Sequence, residues 1–242
     1  MLKYEEDAFG RAYADVMAGG PGTLTIESED GSRDDMPVSS YFGPFDEWSA
    51  HQKQVIARAR GRVLDIGCGP GRHLLYLQQA GHEVVGIDNS PIAVEVARKR
   101  GAKDVRVIGL DDIGPELGVF DTVLMLGNNF GLVGDPANAK TFLDKIDRIT
   151  SADAAILAEL RDPYETDNPV HLAHHQRNRD AGRMSGELRI RAIHGDAIGP
   201  WTGLLLLSRD ELISLLEGTA WAATDFFGDG PCYSAVITKR AA

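Results

Sequence analysis

An aspartate and three glycines alternate with other residues after a short apolar stretch, in the order Asp65, Gly67, Gly69 and Gly71. Glycine has no Cβ, so the backbone can turn sharply there and a ligand can approach it closely. The residues from Arg72 onward have a helical pattern, and the first turn of a helix has free N–H groups and a partial positive charge. The spacing therefore predicts a binding site for a nucleotide-like ligand at the end of a buried strand.

Two residues of this motif narrow the class of ligand. The dinucleotide fingerprint G-x-G-x-x-G requires a third glycine at position 72, where this chain has Arg72. The Asp65 carboxylate would repel a pyrophosphate and would suit an ammonium group. We therefore expect a cofactor with an amino-acid head group, and an NAD(P)-dependent oxidoreductase is the less favoured alternative.

A second motif lies downstream, where Val84 to Asp88 (VVGID) predicts a strand that ends in an acid 21 residues after Gly67. Together, D-x-G-x-G-x-G and this acid resemble the motifs of the class I S-adenosylmethionine (SAM) methyltransferases. The resemblance extends over residues 60–160. It implies a doubly wound α/β fold, with a mostly parallel seven-stranded sheet and an antiparallel edge strand. It also implies SAM as the cofactor and S-adenosyl-L-homocysteine as the product.

The resemblance implies a set of cofactor-binding residues: Tyr41, Asp65, Gly67, Cys68, Gly69, Gly71, Asp88, Asn89, Leu110, Asp111, Asp112, Gly127 and Asn128. In this set, Asp88 would accept hydrogen bonds from the two ribose hydroxyls, with Asn89 beside the adenine. Either Asp111 or Asp112 would meet the adenine amino group, and the sequence leaves this register open by one residue. Cys68 is inside the glycine turn, and its simplest role is to pack beneath it.

The stretch Gly127-Asn128-Asn129-Phe130 follows the predicted fourth strand, where the resembled family usually faces the transferred methyl group. It departs from the Asn/Asp-Pro-Pro-Tyr/Phe pattern with which enzymes that methylate amino groups of DNA and some proteins hold a planar nitrogen. The net charge of −11 also disfavours a grip on nucleic-acid phosphates. We expect a small-molecule acceptor and neither a nucleic-acid nor a membrane partner. Asn128 either contacts the cofactor or acceptor, or ends a turn.

The candidates for a catalytic base are His171, His174 and Tyr41. Alignment of the reactants can supply much of the rate of an in-line methyl transfer, so a base is needed only for an acceptor that arrives protonated. The histidines would lie on one side of a helix that starts at Pro169, where they act as a base, bind substrate or belong to a solvated lid. Because the pattern lacks the cysteines and spaced acids of a zinc site, we expect no metal. Tyr41 belongs to an aromatic stretch that would fold over the cofactor.

The length of 242 residues suits one large α/β domain with additions. We divide it into a lid segment, a SAM-binding core, a substrate-side insertion with a hairpin and helix, and a terminal helix with edge strands: 1–60, 61–160, 161–207 and 208–242. The two cysteines indicate no disulfide framework. Without a signal-like start or a long apolar run, we expect a cytoplasmic protein. A SAM-binding regulator without catalytic activity is the second alternative.

Periodicity predicts the elements that must position these residues. The predicted core strands are 63–66, 84–88, 105–108, 120–126 and 154–160, and an edge pair follows at 221–227 and 233–238. The predicted helices with clear ends are 4–17, 46–60, 71–79 and 208–218. Two hairpins are also predicted, one near 23–38 and one formed by 188–192 with 204–207.

Overall fold

Seven α-helices and twelve β-strands form the part of the chain that the computed structural model describes, residues 1–240. The helices are α1 (Ala8–Met17), α2 (Ala50–Ile56), α3 (Arg72–Gln79), α4 (Pro91–Lys99), α5 (Pro136–Arg148), α6 (Pro169–Asp180) and α7 (Arg209–Leu215). The strands are β1 (Thr23–Ser28), β2 (Arg33–Pro37), β3 (Arg62–Ile66), β4 (Glu83–Asp88), β5 (Val105–Val107), β6 (Phe120–Met125), β7 (Thr150–Arg161), β8 (Glu187–His194), β9 (Ala197–Ile198), β10 (Thr202–Leu205), β11 (Trp221–Phe227) and β12 (Cys232–Lys239). None of the helices in this part of the chain is both long and apolar enough to cross a membrane.

The main sheet has seven strands in the order β11-β12-β7-β6-β3-β4-β5. The five strands from β7 to β5 are parallel, whereas β12 pairs antiparallel with both β7 and β11. Apolar side chains fill both faces because helices cover both, as expected of a parallel sheet. The chain goes from β3 to β4 on one side and returns to β6 on the other. A crevice opens at the carboxyl ends of the strands at such a switch point.

The predicted α/β fold with its antiparallel edge is confirmed. Local capping signals set several helix starts: Ser90 caps α4, Asp135 caps α5, and Ser208 with Glu211 forms the predicted capping box at α7. Two predicted helices were too long. Of the helix predicted at 46–60, only α2 is α-helical. It begins after Ser49, because the Ser49 side chain caps its first turn. The helix predicted at 4–17 begins at α1, where Asp7 accepts a hydrogen bond from the N–H of Gly10 at 2.9 Å.

A second, antiparallel sheet has the order β10-β8-β1-β2, with β9 paired to β8. The predicted hairpins at 23–38 and 188–207 are both present in it. Their pairing with each other was not predicted, and it joins Thr25 to Ile193 and Ile26 to Ala192 across most of the chain. A separate apolar cluster that includes Leu24 and Ala12 packs α1 against this sheet.

Candidate active site

The glycine turn after β3 is tied to the end of β4 by backbone hydrogen bonds. The N–H groups of Gly67 and Cys68 both donate to the carbonyl of Ile87, at 2.9 and 3.0 Å. The N–H of Gly69 then donates to the Asp88 carboxylate at 2.9 Å. These bonds place the two sequence motifs side by side at the switch point of the main sheet.

The glycines are required by backbone conformation and by close neighbours. Gly67 has a φ of +68°, and a Cβ there would lie 2.6 Å from the side-chain nitrogen of Asn129. Gly69 has a φ of +51°, and a Cβ there would lie 3.3 Å from the Tyr13 hydroxyl. Cys68 is buried, and burial raises the pKa of its thiol well above the usual value. The thiol is therefore neutral, which is consistent with packing beneath the turn.

Three buried polar atoms around this crevice have no hydrogen-bond partner within residues 1–240: Asp65 Oδ2, Arg72 Nε and Asn128 Oδ1. An unpartnered buried polar atom costs about 1–3 kcal/mol, so native proteins rarely keep one without a reason. A carboxylate, a guanidinium and an amide fit a ligand that carries both a positive and a negative charge. The α-amino-acid end of SAM, with its ammonium and carboxylate groups, is such a ligand group.

The two motif carboxylates are held at unusual pKa values. Burial, reinforced by the charge of Asp88, raises the pKa of Asp65 to about 7, although the Leu74 amide and Arg72 oppose the shift. Burial also raises the pKa of Asp88 to about 6, against the hydrogen bonds from backbone amides. Both carboxylates would be stabilised in their charged form by a cation. The site is therefore prepared electrostatically for a ligand with an ammonium or sulfonium group.

The residues predicted to meet the adenine lie together beyond the end of β5. A Cβ at Gly109 would be 3.8 Å from the Cβ of Asn89 and 3.5 Å from a carboxylate oxygen of Asp112. Leu110 and Asp111 instead line an adjoining cleft of about 680 Å³ that extends to the second sheet. The geometry thus separates the two acids, and Asp112 is the one on the Asn89 side.

Comparison with known proteins identifies a domain and a fold. Residues 63–153 match a family model described as a methyltransferase domain. The whole chain superposes on a SAM-dependent methyltransferase from Bacteroides fragilis, solved in complex with S-adenosyl-L-homocysteine. The TM-score is 0.84 and the identity 29%, with 100% of this chain and 98% of that chain covered. Residues 63–153 therefore form a methyltransferase domain, and the whole chain has the fold of a SAM-dependent methyltransferase.

Curated relatives share a shorter region with this chain. A 2-heptyl-1-hydroxyquinolin-4(1H)-one methyltransferase from Mycobacteroides abscessus is 36% identical over 83 residues, which is 28% of this chain and 37% of that protein. A tRNA U34 carboxymethyltransferase from Psychromonas ingrahamii is 40% identical over 73 residues, which is 27% of this chain and 22% of that protein. The chain thus spans well under half the length of these two relatives. These comparisons do not support the oxidoreductase alternative.

The N-terminal segment, residues 1–48 of the predicted lid segment 1–60, lies over the glycine turn. The Tyr13 ring lies 5.7 Å from that of Tyr41, between centroids, and Tyr41 lies 3.9 Å from where a Cβ at Gly127 would be. Arg72 donates to the carbonyl of Ser40 at 3.0 Å. Tyr41 therefore lies between the turn and the end of β6, as expected of a lid residue.

Glu159, near the end of β7, organises the other side of the crevice. It accepts hydrogen bonds from the N–H of Gly127 at 2.5 Å and from the Gln52 side chain at 2.7 Å. Its second oxygen lies 3.8 Å from Nε2 of His51, whose Nδ1 is 2.9 Å from the Ser234 hydroxyl. This buried network connects α2 with the carboxyl ends of β6 and β7.

Asn128 has a strained backbone beside this network. Its φ of +62° makes it the only non-glycine residue in the described part of the chain with a left-handed conformation. Such strain is concentrated at functional sites, where the surrounding structure maintains it. Together with the unpartnered side-chain oxygen, it supports the prediction that Asn128 contacts a ligand, which stays a prediction.

The candidate histidines lie on α6, against the second sheet. His174 is buried, and its Nε2 is 2.9 Å from the carbonyl of Glu187, which also accepts from the side chain of Asn178. His171 is exposed and lies 3.0 Å from the Thr166 hydroxyl. These partners account for both side chains without a ligand, and a catalytic role for either remains untested.

Several residues of the site gave little or no signal in the sequence. Tyr13, His51 and Gln52 belong to helices whose patterns predict only an apolar face. A signal did exist for Glu159, because a carboxylate interrupts the apolar strand Ala154–Leu160. A charge in a buried strand needs a partner, and that partner comes from elsewhere in the chain.

Proposed function

We propose that the protein binds SAM at the carboxyl ends of β3 and β4 and transfers its methyl group to a small-molecule acceptor. The observation that carries the proposal is the buried Asp65 Oδ2, which has no hydrogen-bond partner within residues 1–240 and lies beside a glycine turn that also binds Asp88. The Bacteroides fragilis methyltransferase, bound to S-adenosyl-L-homocysteine, supports the same cofactor for this chain.

Each part of the cofactor has a proposed partner. Asp65 would face the ammonium group and Asp88 the ribose hydroxyls, since each carboxylate oxygen has more than one lone pair. Asn89 and Asp112 would border the adenine. When bound, SAM supplies an electrophilic methyl group on a sulfonium.

The protein's own contribution to the reaction would be alignment and exclusion of water. Tyr41 and the N-terminal segment cover the crevice, and the Glu159 network holds the Gly127 peptide at its other side. Burial raises the pKa of the Tyr41 hydroxyl, which disfavours its use as a base. Glu159 is the carboxylate best placed to accept a proton, if the acceptor arrives protonated.

Three features support a small acceptor. The second sheet packs against the segment after β6, where a Cβ at Gly131 would lie 2.6 Å from the Leu205 carbonyl, and the N-terminal segment contacts Arg72, so both border the crevice. The net charge of −11 disfavours an RNA substrate. The Mycobacteroides abscessus relative is a methyltransferase of a hydroxyquinolone, which is a small molecule.

Two measurements test the proposal. Titration calorimetry should detect SAM and S-adenosyl-L-homocysteine binding and no NAD binding. Incubation with methyl-labelled SAM and separate pools of fractionated metabolites and total tRNA should then label a metabolite. Labelled tRNA would replace the proposed acceptor with RNA, and SAM binding without any labelled product would favour the regulator alternative.

A further inference from the structure

Glu159 and His51 present two open polar atoms that face each other at the carboxyl edge of the main sheet. Glu159 Oε2 already accepts hydrogen bonds from Gly127 and Gln52. His51 Nδ1 is likewise held by the Ser234 hydroxyl at 2.9 Å. The remaining atoms, Glu159 Oε1 and His51 Nε2, lie 3.8 Å apart and form no hydrogen bond within the described part of the chain. Neither of these two atoms is fully buried, so a ligand can reach both.

The Ser234 hydroxyl decides which nitrogen of His51 carries the proton. Ser234 is completely buried, and within residues 1–240 its hydroxyl has His51 Nδ1 as its only hydrogen-bond partner. A buried hydroxyl must donate its proton to an acceptor, and Nδ1 can accept only when it carries no proton itself. A neutral His51 ring therefore has its proton on Nε2, which faces Glu159 as a donor.

This donor–acceptor pair lies beside the glycine turn. Glu159 accepts from the N–H of Gly127. Two residues later, the Asn129 side chain donates to the carbonyls of Ile66 and Gly67, both at 2.9 Å. The segment from Gly127 to Asn129 thus connects the pair with the end of β3, where we place the cofactor. A group bound by the pair is therefore next to the proposed cofactor site.

The gap between the two atoms fits a hydroxyl group. At 3.8 Å they are too far apart to bond each other, but one oxygen can lie about 2.8 Å from both. A hydroxyl can donate its proton to Glu159 Oε1 and accept from His51 Nε2 with one lone pair, and its second lone pair stays free. A neutral amine has a single lone pair, which cannot both accept from His51 and attack a methyl group. A carboxylate has no proton to donate, and the charge of Glu159 would repel it.

We propose that His51 and Glu159 bind the acceptor by a hydroxyl group and that the protein methylates the oxygen of an alcohol or a phenol. This inference rests on the proposed function and deepens it by naming the methylated atom. The hydroxyl oxygen forms a bond to the methyl carbon while its O–H bond breaks and the proton passes to Glu159 Oε1. The oxygen takes the place of sulfur, which keeps the electron pair of the broken carbon–sulfur bond. His51 retains its own proton and holds the oxygen in line.

His194 provides a matched control for the loss of a histidine. Its Nδ1 also lies 2.9 Å from an oxygen, the carbonyl of Thr23, but it belongs to β8 in the second sheet. The comparison of His51→Leu with His51→Gln then tests the donor itself. A glutamine amide can still donate from about the position of Nε2, whereas leucine cannot.

The first experiment identifies the methylated atom. The wild type is incubated with fractionated metabolites and with SAM whose methyl carbon is labelled, and NMR of the product distinguishes methyl groups on oxygen, nitrogen, sulfur and carbon. We expect a methyl ether. A methyl ester, which mild base hydrolyses, or a methyl group on any other element would overturn the inference and leave methyl transfer in place. The absence of any labelled product would overturn the proposed transfer, and the inference with it.

The second experiment uses the labelled metabolite as acceptor, with melting temperatures as a check on folding. His51→Leu should lower kcat/KM at least about tenfold, as expected for a lost hydrogen bond to a developing charge. His51→Gln should lose less, and His194→Leu should keep the wild-type value. SAM affinity, measured by calorimetry, should stay within about twofold in all three variants. Unchanged kcat/KM in folded His51→Leu, or equal losses in His51→Leu and His51→Gln, would overturn the inference.

A third measurement needs neither SAM nor an acceptor. Nitrogen chemical shifts of labelled histidines distinguish the two neutral tautomers, and the signal that is missing from His51→Gln identifies His51. The empty wild type should carry the His51 proton on Nε2 alone. A proton on Nδ1 would contradict the inference, because the Ser234 hydroxyl would then not direct Nε2 to donate.

Discussion

Charged groups have opposite environments in two regions: the carboxyl ends of β3 and β4, which we call the cofactor end of the main sheet, and the second sheet. At the cofactor end, burial raises the pKa values of Asp65 and Asp88, and buried polar atoms lack partners. In the second sheet, Glu27 accepts hydrogen bonds from Arg33 and Arg191. Both bonds lower the pKa of the Glu27 carboxyl, and the bond from Arg33 has the larger effect. Asp65 and Asp88 have no ionic partner within residues 1–240, whereas Glu27 is paired with two arginines.

This difference predicts which substitutions change ligand affinity and which change the stability of the fold. An uncompensated carboxylate destabilises the empty protein, and a ligand of opposite charge recovers that free energy when it binds. A paired carboxylate stabilises the fold and leaves little for a ligand to gain. Substitutions at the cofactor end should therefore change affinity most, and substitutions in and around the second sheet should change mainly stability.

Asp88→Ala should have the largest effect. Two hydroxyl hydrogen bonds to a carboxylate are worth about 1.5–3 kcal/mol each, so SAM affinity should fall at least about a hundredfold. Because Asp88 also accepts from backbone amides, Asp88→Asn serves as a second variant that keeps the shape. Asp104→Ala, which removes a surface partner of Arg106, is the control. Calorimetry that shows unchanged SAM affinity in both Asp88 variants would exclude this residue as the ribose partner.

The effect of pH on SAM affinity should be smaller but diagnostic of Asp65. A carboxyl with a pKa of about 7 is mostly protonated at pH 5.5, and a cation binds its ionised form. Affinity should therefore fall at least about tenfold between pH 7.5 and 5.5, with proton release on binding visible in buffers of different ionisation enthalpy. Asp65→Asn should bind more weakly and lose most of this pH dependence. A flat profile in the wild type would contradict the raised pKa.

The same group should affect stability in the opposite direction. The pKa of Asp65 is raised from 3.8 when exposed to about 7, so the empty folded protein holds this proton more tightly than the unfolded chain does. Stability gained through this group is complete below 3.8 and is lost as pH rises through about 7. Asp65→Asn should therefore raise the melting temperature of the empty protein at pH 7.5. A lower melting temperature would mean that the carboxylate is compensated within the fold.

Glu159→Gln should lower turnover and leave SAM affinity nearly unchanged. The amide can still accept from Gly127 but loses the negative charge, so SAM affinity should stay within about threefold while turnover falls about tenfold or more. SAM affinity is measured by calorimetry and turnover by a SAM-turnover assay, both on one protein preparation. Normal turnover would leave Glu159 a structural residue, and lost SAM affinity would assign it to the cofactor end.

His171→Gln and His174→Gln should have the smallest effects on activity. Both should keep SAM affinity and turnover within about twofold, and His174→Gln should lower the melting temperature because it loses the contact with Glu187. A general base would behave differently, with a loss of about a hundredfold and of an ionisation near pH 6.5. Such a loss in either variant would make α6 part of the catalytic apparatus.

The sequence alone was enough to predict the local structure at the cofactor end of the main sheet. The turn from Gly67 to Gly71, the acid at Asp88 and the capping residues of the helices act through neighbours within about twenty residues, so local pattern is enough to predict them. Strand–helix alternation then selects a parallel sheet, and short right-handed connections leave few topologies. The fold was predictable for the same reason.

Only the tertiary structure decided what covers that site. Periodicity predicted the strands β1 and β8, but their pairing joins residues more than 160 positions apart, and nothing local specifies which edge a strand chooses. Likewise, Glu159 meets Gln52 across 107 residues, and Tyr13 reaches Gly69 from a helix whose pattern indicates only an apolar face. These contacts form when apolar surfaces pack, and packing depends on the whole chain, whereas a turn or a cap depends on its immediate sequence.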